Sequence, residues 1–254
     1  MKNNLISFAI GLAAGMLGGL IGLGGGIIMV PLLVGLLKLD QCRAHGTSLA
    51  VLIFTGISGA ITYGYHGQVG WVAAAALAVP AVLTAATGAR LADKLPEWKL
   101  KKVFGIFLIF CSILLFFKPL LADRLGVLPG YTPIVALIVT GAVTGFLSGF
   151  MGVGGGTIMV PAMILLAGFT QHLAQGTALL VMIPTGFVAA YTHWKLGNVE
   201  IDLLYGMVPG ILLGTFVGGN IAQIIPDNPL RWIFVLVAIY MGWRYVQAVK
   251  PETC

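Results

Sequence analysis

Two triplets of consecutive glycines interrupt otherwise apolar segments of the sequence. They are Gly24, Gly25 and Gly26 in the first half and Gly154, Gly155 and Gly156 in the second. A helix that restarts after such a break presents unbonded backbone N–H groups and the positive end of its dipole. Glycine also lets a ligand approach the backbone closely. Two helix starts of this kind, facing one cavity, would bind an anion.

Hydrogen-bond donors follow each triplet in the next apolar segment. One helix start supplies at most about 2 kcal/mol, far below the cost of desolvating a charged anion, so further donors are needed. In the first half most of these donors fall on one face of a helix of 3.6 residues per turn. With the two triplets, the side chains predicted to line the site are His45, Thr47, Ser48, Thr55, Thr157, Gln175, Thr177 and His193.

The positions of the acidic residues also favour a negatively charged ligand. All eight lie in predicted loops or at segment ends: Asp40, Asp93, Glu97, Asp123, Glu200, Asp202, Asp227 and Glu252. A cation site or a carboxylate proton relay inside a membrane would need one of them in the hydrocarbon interior. Donors without acceptors favour an anion, and neither a metal ion nor a cofactor is expected.

The composition indicates a membrane protein. Of the 254 residues 59% are hydrophobic and 9% are charged, whereas about a quarter of a soluble domain is charged. Apolar runs of about 20 residues recur along the chain, each long enough to cross a bilayer. We therefore predict an all-α polytopic membrane protein whose partners are the lipid bilayer and a small anionic solute. The net charge of +6 is spread over short loops, so no nucleic-acid-binding face is expected.

The chain contains an internal repeat. Residues 22–31 and 152–161 are identical at eight of ten positions, at an offset of 130 residues. We predict two transmembrane repeats, residues 1–120 and 121–254. Each would contain one interrupted segment, at 5–37 and 133–168, followed by three plainer segments. The plainer segments are 44–65, 70–92 and 100–117 in the first repeat and 174–195, 201–223 and 230–248 in the second.

The distribution of lysine and arginine predicts the topology. If each interrupted segment crosses the membrane once, these residues divide into 6 inside and 8 outside; if each is a hairpin, they divide into 11 and 3. The positive-inside rule favours the hairpins. A hairpin plus three crossings inverts the second repeat and leaves both termini in the cytoplasm. Broken helices of inverted repeats meet near the membrane midplane, which suits alternating access.

The repeated stretches around the glycine triplets resemble a known family. The stretches GLGGGIIMVPLL and AHGTSLA, repeated as GVGGGTIMVPAM and AQGTALL, are similar to the sulfite exporter TauE/SafE family of membrane permeases. The resemblance implies transport of a sulfur-containing anion such as sulfite, thiosulfate or an organosulfonate. It also places Gly46 with Thr47, and Gly176 with Thr177, in the substrate region. The expected protein is a secondary exporter of the cell inner membrane rather than an enzyme, and a homodimer is left open.

Two other functions are weighed against this one. A passive anion channel could have the same fold. The sequence Gly56-Ile57-Ser58-Gly59 also matches the short Gly-x-Ser-Gly motif of rhomboid-type intramembrane serine proteases. Such an enzyme needs a histidine within hydrogen-bond reach of the serine. His66 is too far along the same predicted helix, which leaves His193, and a protease has no evident use for two glycine hairpins.

Overall fold

The computed structural model describes residues 2–92, 97–117, 132–151 and 154–247. The predicted boundary between the repeats, at residues 120–121, lies outside these ranges. The described residues form ten helices and no strand. These are α1 (Lys2–Ile21), α2 (Gly26–Leu37), α3 (Gln41–Tyr65), α4 (Trp71–Ala92), α5 (Glu97–Phe116), α6 (Thr132–Met151), α7 (Gly156–Leu166), α8 (Gln171–Lys195), α9 (Ile201–Ile224) and α10 (Asp227–Val246).

Six of these helices, α1, α3, α4, α6, α8 and α9, are long and apolar enough to cross a membrane. The predicted all-α polytopic membrane fold is confirmed. The predicted crossings at 100–117 and 230–248 correspond, in their described parts, to α5 and α10, which fall outside this set of six. Helices α2 and α7 have only 12 and 11 residues, too few for the roughly 20 that a crossing requires.

Each glycine triplet reverses the direction of the chain. Gly22, Gly24 and Gly25 have φ angles of 73°, 84° and 79°, which glycine adopts without strain. As a result α2 runs back along α1, and a Cβ placed on Gly18 would lie 2.7 Å from the backbone nitrogen of Gly25. In the second half, a Cβ placed on Gly155 would lie 2.7 Å from Cγ2 of Thr144 on α6. Each interrupted segment is therefore a helical hairpin.

The equivalent helices α3 and α8 cross at the centre of the molecule and run antiparallel. The Cβ position of Gly46 lies 3.0 Å from Cβ of His193, whereas that of Gly59 lies 2.7 Å from Leu179. Residues with higher numbers on α3 thus contact residues with lower numbers on α8. An antiparallel pair of equivalent helices is the arrangement that inverted repeats require, and the inverted topology in the membrane stays a prediction.

The first helix of each hairpin packs against the other repeat. Helix α1 runs parallel to α9, with Gly11 at Met207, and α6 runs parallel to α4, with Gly149 at Ala85. Small residues let these backbones approach closely, as membrane helices commonly do. The pair α5 and α10 packs antiparallel through Gly105. Both hairpins are therefore held between elements of the two repeats.

The bundle has two polar ends, which we name after one residue of each. At the Arg43 end, α3 and α9 begin and α8 ends, and Arg43 pairs with Asp40 and Glu200. At the Asp227 end, α8 and α10 begin, and the carboxylate of Asp227 pairs with His172. These three contacts lie at the bundle ends, away from its centre.

Candidate functional site

The two hairpin tips meet at the centre of the bundle. A Cβ placed on Gly156 would clash with the carbonyl oxygen of Gly22 and lie 3.1 Å from Cα of Leu23. The Cβ positions of Gly24 and Gly154 both lie against Leu52 and Met182, at 2.8 to 3.3 Å. Leu52 and Met182 are themselves equivalent under the offset of 130. The sequence prediction that the triplets share one place in the fold therefore agrees with this geometry.

The helices that restart at the tips have open N-termini. Their N-cap residues, Gly25 and Gly155, offer no side-chain hydrogen bond to the first turn. The N–H groups of Ile28 and Ile158 bond back to these two caps. The earlier N–H groups, up to Ile27 and Thr157, precede the regular ladder and are the donors that a ligand could use.

Apolar side chains occupy the space between the tips. Leu52 is 1% exposed and Met182 is 2% exposed, and both touch the glycines of the two hairpins. A solute that used both helix starts at once would have to displace these two side chains. The described conformation is thus closed at the centre.

A cavity of about 750 Å³ leads from the Arg43 end toward the tips. It reaches Ile27 and Ile28, next to the first tip, and Met151, which ends α6 just before the second triplet. His45, one of the predicted site residues, also lines it. The described lining residues are Ile27, Ile28, Val30, Pro31, Leu32, Val34, Gln41, His45, Met151, Tyr240, Met241, Trp243, Arg244, Tyr245 and Gln247. The sequence reasoning did not include Arg244 in the site, although a cation in the last turn of the final helix was a readable signal.

Two polar pairs fix the ends of α1 and α6 to the central helices. The hydroxyl of Tyr63 lies 2.9 Å from the carbonyl oxygen of Gly19 and 2.8 Å from Oε1 of Gln175. In the other half, Nε2 of His193 lies 3.1 Å from the carbonyl oxygen of Gly149. Tyr63 and His193 are equivalent positions, as are Gly19 and Gly149. Gln175, one of the predicted site residues, therefore packs beside the first hairpin, where the Cβ position of Gly22 lies 2.5 Å from its Cγ.

The two Gly-Thr pairs connect the repeats to each other. The hydroxyl of Thr47 accepts a hydrogen bond from the N–H of Glu200 at 3.0 Å, and that of Thr177 accepts one from the N–H of Gly70 at 2.9 Å. Gly46 lies against the carbonyl oxygen of Asn198, and Gly176 lies against that of Gln68. These contacts give the pairs a structural role at the interface between repeats, which the sequence reasoning missed.

The remaining predicted residues are buried near this centre. Ser48 and Thr55 on α3 and Thr157 at the start of α7 are all shielded from solvent. Within the described part of the chain, the hydroxyl of Thr55 has no hydrogen-bond partner. The predicted site residues therefore fall into three groups. Some lie at or near the hairpin tips, His45 lines the cavity, and the two Gly-Thr pairs connect the repeats.

The geometry bears on the alternatives as well. The hydroxyl of Ser58 donates to the carbonyl oxygen of Leu212 at 3.0 Å, whereas Nε2 of His193 faces Gly149. The two groups of the hypothetical dyad thus have different partners. In the residues that the structure describes, no cluster of histidine, cysteine or acidic side chains could hold a metal ion.

Comparison with known proteins gives a consistent answer. A family model described as "Sulfite exporter TauE/SafE" matches residues 7–245. The chain is 29% identical to the probable membrane transporter protein YunE of Bacillus subtilis, over 95% of this chain and 97% of that protein. A probable membrane transporter protein of Xylella fastidiosa is 27% identical, over 92% of each chain. The probable membrane transporter protein MJ0441 of Methanocaldococcus jannaschii is 26% identical, over 92% of this chain and 91% of that protein. No solved structure matches the chain.

Proposed function

We propose that this chain, which belongs to the sulfite exporter TauE/SafE family of membrane transporters, exports a small sulfur-containing anion by alternating access. Sulfite, thiosulfate and organosulfonates are the candidate substrates. The supporting observation is that two uncapped helix starts, at Gly25 and Gly155, come from different repeats and meet at one point. Paired broken helices of this kind are typical substrate sites of secondary transporters.

The electrostatics of the cavity favour a negative solute. One helix start contributes up to about 2 kcal/mol, whereas burying an ion costs several kcal/mol, so an anion needs additional partners. The cavity that reaches the tips adds Gln41, His45 and Arg244, and none of its described lining residues is acidic. The guanidinium of Arg244 is the permanent charge of this set.

The closed centre suggests how the substrate is passed on. Leu52 and Met182 lie against the glycines of both tips, and the cavity from the Arg43 end reaches the residues next to those tips. We infer that hairpin movement carries these two side chains aside, exposing the same helix starts to one end and then to the other. Because a membrane transporter must prevent simultaneous opening, a thin apolar barrier at the crossing point is a suitable gate.

The charges favour a cytoplasmic Arg43 end. Among described side chains, this end carries Lys38, Arg43, Arg90, Lys102, Lys195 and Arg244, whereas the Asp227 end carries Arg231. The positive-inside rule then assigns the cavity to the cytoplasm. An exporter loads its substrate from that side, so the open cavity fits the proposed direction of transport in the cell inner membrane.

Counterflow in proteoliposomes tests the proposal. Vesicles loaded with unlabelled thiosulfate, sulfite or sulfoacetate should transiently accumulate the labelled form of the same anion. A passive channel would instead give anion conductance without counterflow. Ser58→Ala should transport normally, since its hydroxyl serves a backbone carbonyl. Absence of counterflow for every sulfur anion, in protein that is inserted and folded, would refute the proposal.

A further inference from the structure

The two hairpins are anchored by equivalent contacts of different chemistry. At the first hairpin the anchor is Tyr63 with Gln175, neither of which changes charge near neutral pH. At the second hairpin the same two positions are His193 and His45, and histidine is the side chain that does change charge there. We propose that the pair His45 and His193 is a proton-binding site that takes up a proton when the anion binds, and that the pair Tyr63 and Gln175 is its proton-insensitive counterpart. This inference rests on the proposed transport function.

The geometry identifies which nitrogen would receive the proton. A carbonyl oxygen only accepts hydrogen bonds, so Nε2 of His193 carries hydrogen to contact Gly149 at 3.1 Å. In neutral His193 the added proton therefore goes to Nδ1, and the bond that holds α6 is kept. His193 is 0% exposed and His45 is 3% exposed. An imidazolium at this depth needs a nearby negative charge.

An entering anion would supply that charge. His45 lines the cavity that reaches both hairpin tips, and α3 carries it beside His193, whose Cβ lies 3.0 Å from the Cβ position of Gly46. Binding a proton together with an anion reduces the net charge that must be buried. The proton and the anion are thus taken up together, each making the site more favourable for the other.

The other charged groups around the pair do not replace this role. From α10, Arg244 lines the same cavity, as do the phenols of Tyr240 and Tyr245. At the Arg43 end, Glu200 is engaged by Arg43, Arg90 on α4 is exposed, and Lys195 lies over the ring of Tyr191. Helices α2 and α6, which pack against this region, have no charged residue over their described lengths. Among the described residues around the pair, the histidines are therefore the groups that can gain a charge between about pH 5 and 8.

The chain itself suggests the test. Tyr63 and Gln175 occupy at the first hairpin the positions that His193 and His45 occupy at the second, so they can replace the two histidines. The double variant His45→Gln with His193→Tyr installs the anchor of the first hairpin at the second. Thiosulfate is the probe, since it stays a dianion throughout this pH range. In wild-type vesicles, an inward gradient of about one pH unit should raise steady-state accumulation by up to about tenfold. Because His45 lines the cavity, the double variant should exchange thiosulfate more slowly, and its accumulation should no longer respond to the gradient.

The controls separate this inference from the transport proposal. Counterflow without any pH gradient reports transport alone, so a wild-type protein that exchanges thiosulfate but ignores the gradient refutes proton coupling only. His66→Gln removes a histidine at the other end of α3 and should keep the full gradient response. A double variant that keeps the response would also refute the inference.

A second measurement does not depend on the substrate. Melting temperatures of the detergent-solubilised wild type and double variant are compared between pH 5 and 8. In the unfolded chain both histidines bind protons as the pH falls from 8 to 5, whereas the proposal keeps the buried pair neutral until an anion binds. The melting temperature of the substrate-free wild type should therefore fall relative to that of the double variant over this range, since the other two histidines are common to both proteins. A constant difference would overturn the inference even if no tested anion were transported.

Discussion

The carbonyl oxygen of Gly22 fills the space that a side chain on Gly156 would need. These two residues belong to different repeats and lie at the tips of different hairpins. Glycine at position 156 is thus required by the contact between hairpins, in addition to any conformational need of its own helix. The meeting of the tips is a property of the assembled pair of repeats.

Gly156→Ala should separate the tips and abolish transport while the protein still inserts. The added methyl group meets the backbone of Gly22 and Leu23, which cannot give way as a side-chain end can, and overpacking of this kind costs about 1–3 kcal/mol. Counterflow in proteoliposomes is the measurement. Gly35→Ala on α2 is the matched control, because its Cβ position has nothing within 4 Å. Equal activity of the two variants would contradict the contact.

The structure distinguishes two glycines that the repeat makes equivalent. Gly25 has a φ of 79°, whereas Gly155 has a φ of −78°. Gly25→Ala would incur about 1–2 kcal/mol of left-handed strain, and its methyl group would also clash with the carbonyl oxygen of Ala14. The atoms nearest to a Cβ on Gly155 belong to the flexible side chains of Thr144 and Met159. We expect a clearly lower melting temperature for Gly25→Ala than for Gly155→Ala, and equal losses would argue against this asymmetry.

The sequence predicted the breaks because they are local. Three adjacent glycines before Ile27 disrupt any helix, and the offset of 130 residues is visible without coordinates. It did not predict that Thr47 and Thr177 bond to the opposite repeat, since such contacts depend on how α3 and α8 cross. For the same reason the sequence did not identify the apolar pair Leu52 and Met182. The type of these residues does not reveal that they lie between two glycine turns that are distant in the sequence.

Thr47→Val and Thr177→Val should each destabilise the protein by about 1 kcal/mol, the usual net value of a lost hydrogen bond. Each variant leaves one backbone N–H, of Glu200 or Gly70, without its present acceptor. The melting temperature in detergent reports the loss. Thr87→Val is the control, because the hydroxyl of Thr87 bonds within its own helix. Because the two hydrogen bonds are equivalent, the two variants should lower the melting temperature by similar amounts. An unchanged melting temperature in both variants would contradict a structural role for the Gly-Thr pairs.

Leu52→Ala should make the transporter leaky. Leu52 and Met182 fill the space between the hairpin tips, so removing most of one side chain opens a path for water and small anions through the centre. We expect faster passive efflux of thiosulfate from preloaded vesicles, with weaker counterflow because the two ends are no longer kept separate.

Leu49→Ala is the matched control. It lies on the same helix, is equally buried and belongs to the same buried cluster as Leu52, but it is not among the nearest neighbours of the glycines at the hairpin tips. Both variants lose about 2–5 kcal/mol of stability, so a leak confined to Leu52→Ala would identify a gate rather than a weakened fold, and equal leaks would contradict the gate.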